Sequence, residues 1–297
     1  MDLSRPRYLS VNDYISKADY TLNYCNVDDA VALIIKAGRS CLLAKTDLVG
    51  AFRLIPVHPP DWNLLGFYFD GRYYFDRVLP SGQSSPAIIN ELSLLLVWLL
   101  KHNGHPYVLH YMDDCMFVRK AESDVCNAAL SFTKLLCQHL GVPLDPEKTV
   151  LPTTRLEFLG VTLDTVEFTM SIPTSKIKDP FDYLTYFANR TEAYKRDILS
   201  LAGRLSWCTK CIPASRIFLR RVLDLAKSAK RLDQKIKLDR AFFWRPRLVE
   251  RIHSGTVVRR FSHLIGPTLR VWIYLPMPLE QSVAGHLRGP VVPSALA

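Results

Sequence analysis

The sequence predicts an α+β fold: a split βαβ antiparallel sheet with two helices on one face, continued by a basic helical region. Two patterns lead there. Between residues 41 and 141 the signals run strand, hairpin, helix, hairpin, helix, an order that closes most simply into such a sheet. After Pro173, Tyr194, Ile198, Leu201 and Leu205 recur at helical spacing, and basic side chains outnumber acidic ones.

In chain order, residues 27–37 are apolar-periodic, open with Asp28 and Asp29 at the positive end of a helix dipole, and stop at Gly38. Residues 41–47 read as a buried strand that delivers Asp47 at its C-terminal end. Residues 66–77 form a hairpin, because the aromatic arms 67–69 and 73–75 flank Asp70-Gly71, a favoured two-residue turn. Leu79-Pro80-Ser81-Gly82 breaks the strand. Ser85 then caps a helix with Pro86 in its first position, running through Leu100 to Gly104. Apolar, β-prone flanks put Tyr111-Met112-Asp113-Asp114 at the turn of a second hairpin. A helix from about Glu122 follows, with Val125, Ala128, Phe132, Leu135 and Leu136 on one face and Gly141 closing it. Residues 156–161 start another strand. Further on, Arg216, Arg220, Lys227 and Arg231 are spaced to share one helix face. Prolines at 276, 278, 290 and 293 interrupt the end of the chain, and residues 262–297 read as loosely ordered.

Composition narrows the function classes. With 297 residues and a net charge of +10, divided as −4 over residues 1–170 and +14 over residues 171–297, the second part of the chain favours a polyanionic partner, nucleic acid before membrane. The longest apolar run, residues 92–100, is too short to span a bilayer, and no signal peptide opens the sequence. Seven scattered cysteines, an odd number in core-like segments, argue for a reducing, intracellular compartment rather than a disulfide framework. Cys208 and Cys211 form one CxxC with no second pair or nearby histidine, which one helical turn explains as well as a zinc site does.

The chemistry concentrates on carboxylates. Adjacent Asp113 and Asp114 repel unless a cation sits between them or water bathes them, so a divalent metal site and a solvated turn are the two readings. The metal reading depends on a third carboxylate on a neighbouring strand, and in an antiparallel sheet of this order the strand ending at Asp47 can lie beside the hairpin.

Taken together, these pieces resemble a reverse transcriptase. Asp47 with Ala51-Phe52 resembles the first polymerase motif, and Tyr111-Met112-Asp113-Asp114 the metal-binding YxDD motif. Leu79-Pro80 with Gly82 resembles the template-side motif between them, although Ser81 replaces the usual aromatic. Val142-Pro143-Leu144 with Glu147-Lys148-Thr149, and residues 156–164, resemble the two motifs that follow. More narrowly, Ser10-Val11-Asn12-Asp13, Val27-Asp28-Asp29-Ala30, residues 44–52 and 55–58, and Asp61-Trp62 are similar to the DIRS-type retrotransposons, which integrate through a tyrosine recombinase.

The resemblance implies a polymerase right hand with partial fingers (1–40), palm (41–172), basic helical thumb and connection (173–245) and a poorly ordered tail (246–297). It implies RNA-directed DNA polymerase activity on a primed RNA or DNA template with dNTPs. Mg²⁺ (or Mn²⁺) would be held by Asp47, Asp113 and Asp114. Lys148 would serve the leaving pyrophosphate, and Phe52, Ala51 and Gly82 would bound the nucleotide, Phe52 excluding a 2′-hydroxyl. Phe158, Leu159 and Gly160 would place the primer end, and Arg216, Arg220 and Lys227 would grip phosphates. A truncated fingers region is expected, since the chain opens near the second finger motif. No ribonuclease H site is expected after the connection-like Phe242-Phe243-Trp244, because Glu280 is the only acid beyond residue 260. The rival expectation is a truncated remnant that binds nucleic acid without catalysis.

Overall fold

A computed structural model describes residues 5, 8–15, 22, 24–80, 87–121, 125–188, 190–212, 215–238 and 258–261. The first helix, α1 (Val27–Ala37), is capped by Asn26, whose Oδ1 accepts from the Asp28 and Asp29 amides at 2.8 and 3.3 Å, while Asp29 reaches back to the Asn26 amide. It precedes β1 (Leu42–Thr46), the strand on which the site is built. The expected aromatic hairpin follows as β2 (Gly66–Phe69) and β3 (Arg72–Phe75), turning through Asp70 and Gly71, both at positive φ. Its arms are exposed, and Trp62 stacks on Phe75 with ring centroids 5.4 Å apart.

Helix α2 (Ala87–His102) leads to β4 (Val108–Tyr111) and β5 (Asp114–Arg119), and then to α3 (Val125–His139). β6 (Val150–Thr153) completes an antiparallel sheet ordered β4-β5-β1-β6. Alternation along the strands assigns its faces. Ala44, Cys115 and Phe117 pack against Val97 and Leu100 of α2 and Cys126, Ala129 and Leu130 of α3. On the opposite face Leu43, Met116 and Val118 meet Ala30, Val31 and Ile34 of α1. Two helices therefore cover one face, as the sequence predicts, and α1 lies on the other.

A second antiparallel sheet holds β7 (Arg155–Phe158), β8 (Val161–Asp164) and β9 (Thr169–Ser171). The helical region then contributes α4 (Thr174–Ala188), a short ribbon of β10 (Glu192–Tyr194) and β11 (Lys235–Lys237), α5 (Lys195–Cys208) and α6 (Ser215–Lys227). Its apolar side chains, among them Leu184, Ile198, Leu205 and Val222, join the core that contains α1 and the open face of the first sheet. Residues 258–261 differ from the poorly ordered tail expected from 246 onward. β12 (Val258–Arg260) pairs with β9 as the fourth strand of the second sheet, and Phe261 is fully buried against Phe168. The apolar Phe261 gives this short strand a core anchor, and the prolines that break the pattern lie further on, from residue 267. Phe242-Phe243-Trp244 and residues 262–297 lie outside the described residues.

Among the described residues no helix is long and apolar enough to cross a membrane. All seven cysteines are free thiols, six of them buried. Burial, the largest cause, raises the Cys208 thiol to about 11 and the Cys211 thiol to about 12, so neither is poised as a nucleophile.

Candidate active site

Asp47 leaves β1 directly after Thr46, the last residue paired with β5, and its side chain is almost fully buried. The backbone there is zipped to the loop before β6. The Asp145 amide donates to the Asp47 carbonyl at 2.9 Å, Leu48 bridges Leu144, and the Val49 amide donates to the Pro143 carbonyl at 2.9 Å. The same loop carries Lys148. Asp145 fixes its turn by accepting from the Glu147 and Lys148 amides at 3.0 and 3.3 Å, which sets Lys148 Nζ 2.5 Å from Asp47 Oδ2. That hydrogen bond and the Asp47 charge hold the Lys148 ammonium above its ordinary pKa.

The β4–β5 hairpin pairs Tyr111 with Asp114, so its two-residue turn is Met112-Asp113 and Asp114 already belongs to β5. Met112 adopts φ 52° without being glycine, a sparsely populated conformation that persists only when its surroundings impose it. Part of that imposition comes from buried Ser93 of α2, whose hydroxyl donates to the Met112 carbonyl at 2.5 Å. The turn brings the Asp113 carboxyl within hydrogen-bonding reach of Asp47. Burial first, then the charges of Asp47 and Asp114, push Asp113 above the usual carboxylate range. Asp114 is also raised by burial, against the hydrogen bond and charge of Lys45, whose Nζ lies 2.9 Å from Asp114 Oδ2.

Of the three expected metal carboxylates, the fold brings Asp47 and Asp113 together and pairs Asp114, which also feels the Asp47 charge, with Lys45. Among the described residues no group of three His, Cys, Asp or Glu side chains is arranged to hold a metal. Asp47 Oδ1 is buried with no hydrogen-bond partner, an oxygen whose desolvation is uncompensated. Hard carboxylate oxygens, one of them unpartnered, fit Mg²⁺, which takes one or two carboxylates and keeps several waters.

The other expected residues spread around this centre. Ala51 is buried and Phe52 half-buried in a short 3₁₀ turn, Ala51–Leu54, launched by Gly50 at φ 56° and packed with Leu48, Ile89 and Leu96. Gly82 lies outside the described residues. Leu159 and Gly160, at φ 48° and 79°, turn the β7–β8 hairpin, while Phe158 is fully buried, so its side chain anchors this turn and is not available to a ligand. Arg216, Arg220 and Lys227 are exposed on α6, with Lys227 Nζ 3.1 Å from Asp224. Arg231 does not share their helix face, because α6 ends at Lys227 and Arg231 pairs with Asp233 at 2.7 Å.

Lys45, Ser93 and Trp207 are the site neighbours that sequence reasoning missed. Lys45 stands two residues before Asp47. Ser93 falls on the buried stripe of α2, with Ile89, Leu96 and Leu100 at helical spacing, and a hydroxyl in such a stripe signals a partner. Trp207 lies against Gly160, a contact between distant elements that no local pattern announces.

An antiparallel sheet that sets a strand-end aspartate against a hairpin-turn aspartate, with two helices packed on one face, is a polymerase palm. The chain belongs to the reverse transcriptase (RNA-dependent DNA polymerase) family, whose model matches residues 11–163. It is 26% identical over 185 residues to the Gag-Pro-Pol polyprotein of Human T-cell leukemia virus 3, covering 59% of this chain and 12% of that one. Over 200 residues it is 28% identical to the Gag-Pol polyprotein of Walleye dermal sarcoma virus, covering 64% and 11%. The chain thus spans about an eighth or less of these relatives' length. Among solved structures, foamy viral protease-reverse transcriptase in complex with RNA/DNA hybrid superimposes with a TM-score of 0.57 at 16% identity, covering 86% of this chain and 31% of that one. The complex of that enzyme with dsDNA gives 0.57 at 17% identity, covering 85% and 47%. At such identities the likeness establishes the fold.

Proposed function

We propose that this chain is the RNA-directed DNA polymerase domain of a retroelement, of the DIRS type, extending a primer on an RNA or DNA template with dNTPs. The observation that carries the reading is the interaction of the Asp47 and Asp113 carboxyls, together with a buried Asp47 oxygen that has no hydrogen-bond partner. Mg²⁺ bound by these carboxylates would neutralise charge on the attacking and leaving oxygens during phosphoryl transfer. Lys148 can turn from Asp47 to the departing pyrophosphate, since its own side chain is 62% exposed and a metal ion at the buried Asp47 carboxylate would replace its charge there. Phe52 and Ala51 would bound the sugar of the incoming nucleotide, and Gly82, outside the described residues, would belong to the template-side motif. Leu159 and Gly160 support the primer end, and Arg216, Arg220 and Lys227 hold backbone phosphates as parts of a thumb beyond residue 172, after a palm of residues 41–172.

The test is primer extension by the purified chain on an RNA template with Mg²⁺ and dNTPs, beside Asp113→Asn. Extension by the parent that the variant loses is the expected result. Equal extension by both would sink the catalytic assignment, and salt-sensitive binding without any extension would leave a nucleic-acid-binding domain that does not catalyse.

A further inference from the structure

Each active-site carboxylate that has an ion-pair partner has a lysine, and the two lysines differ. Lys148 comes from a loop, is 62% exposed, and pairs with Asp47. Lys45 is the penultimate residue of β1, its side chain is 19% exposed, and it pairs with Asp114, itself 22% exposed. The sheet register fixes that second pair. Lys45 stands opposite Met116, and Asp114 is the diagonal neighbour two residues along β5, on the same face and within reach of a long side chain. Withdrawing Lys148 returns an exposed ammonium to water and leaves the buried Asp47 carboxylate, 6% exposed, for an incoming cation to neutralise, whereas separating Lys45 from Asp114 leaves two mostly buried charges unpaired.

We propose that Lys45 is a resident counter-ion that holds Asp114 outside the metal ligand set, leaving Asp47 and Asp113 to bind the divalent cation. This rests on the polymerase reading of the site and refines its ligand assignment. Without Lys45, three carboxylates would crowd one rim of the sheet and their mutual repulsion would have to be met by metal or protons. With it, one negative charge is neutralised permanently by the fold. Lys148 is the exchangeable partner, yielding Asp47 when metal and nucleotide arrive. Lys45 is a positioning residue: it touches neither nucleotide nor metal and acts through Asp114.

Metal binding, measured without primer or nucleotide, tests the assignment through a mutant cycle. Mn²⁺ is titrated into the chain and followed by calorimetry and by loss of the free-ion electron paramagnetic resonance signal. With Lys45 in place, Asp113→Asn should weaken Mn²⁺ binding by about tenfold or more, and Asp114→Asn by less than about threefold. In a Lys45→Met background Asp114 becomes a ligand, so adding Asp114→Asn should then cost about tenfold; the contribution of Asp114 appears only when Lys45 is gone. Lys45→Gln repeats the cycle if the methionine variant does not fold, and Lys45→Arg should behave as the parent does. The proposal is overturned if Asp114→Asn weakens Mn²⁺ as much as Asp113→Asn beside an intact Lys45, or if the parent binds no Mn²⁺. A chain that shows the cycle but extends no primer refutes the polymerase reading alone. One that extends primers while needing Asp114 for Mn²⁺ refutes the role of Lys45 alone.

Discussion

His110 shows how a single side chain behind the site sets a pH limit on the fold. It lies on β4, two residues before the strained Met112, with its Nδ1 buried and without a hydrogen-bond partner. Burial, and then the Lys101 charge, lowers its pKa below the usual histidine value. His105, lowered by burial and by Arg119, acts in the same direction. A histidine whose folded pKa is depressed leaves stability intact above the unfolded value of about 6.5. As pH falls below that value the unfolded chain takes up the proton first, and stability is lost until the folded pKa is passed. Replacing His110 with glutamine should therefore flatten the fall in urea midpoint between roughly pH 7 and pH 5, and replacing His105 as well should flatten it further. A pH profile parallel to that of the parent would refute the assignment.

Between elements, the contact that matters most is the seat of the β7–β8 turn on α5. Gly160 has φ 79°, and a Cβ there would meet Trp207 Nε1 at 2.8 Å, closer than real contacts allow. Gly160→Ala is expected to destabilise by about 1–3 kcal/mol, combining left-handed backbone strain with displacement of the indole. The measurement is a lower urea midpoint at unchanged slope, and a midpoint equal to that of the parent would mean the turn has another way to relax. Such contacts mark the limit of reading elements from sequence. The turn at Asp70-Gly71 was legible because local chemistry dictates it, whereas Leu159-Gly160, read as part of one strand over 156–161, turns a hairpin between β7 and β8. β6 was missed because Pro152 argues against a strand, and it is tolerated there because β6 is a sheet edge. The β10–β11 ribbon was missed because its partners are about forty residues apart, and periodicity carries no information on pairing at that distance. The carboxylates Asp47, Asp113 and Asp114 were visible as residues, yet their division into a meeting pair and a lysine-bound third was not. That division depends on the β1–β5 register and on Met112, not Asp114, occupying the turn.

Across the molecule, one apolar core joins the open face of the first sheet, α1, the second sheet and helices α4 to α6, so the basic helices are built onto the same body as the carboxylates. Charge is divided along that body: the acids of the site lie at one sheet rim, and the exposed cations Arg216 and Arg220 stand on α6. If these arginines meet a nucleic-acid backbone, their contribution is electrostatic and comes from releasing counterions, so it must show in the salt dependence of binding and not in sequence preference. Each arginine-to-glutamine change should reduce the slope of log K against log salt on a primer-template duplex by about one and weaken binding to all sequences alike. Lys227→Gln should reduce it less, because Lys227 already shares its charge with Asp224 at 3.1 Å. Fluorescence anisotropy over a salt series measures these slopes directly. Unchanged slopes for both arginine variants would place the duplex on another face and leave α6 as a solvated surface helix, whereas slopes lowered equally by all three variants would mean that the Lys227–Asp224 pair opens on binding.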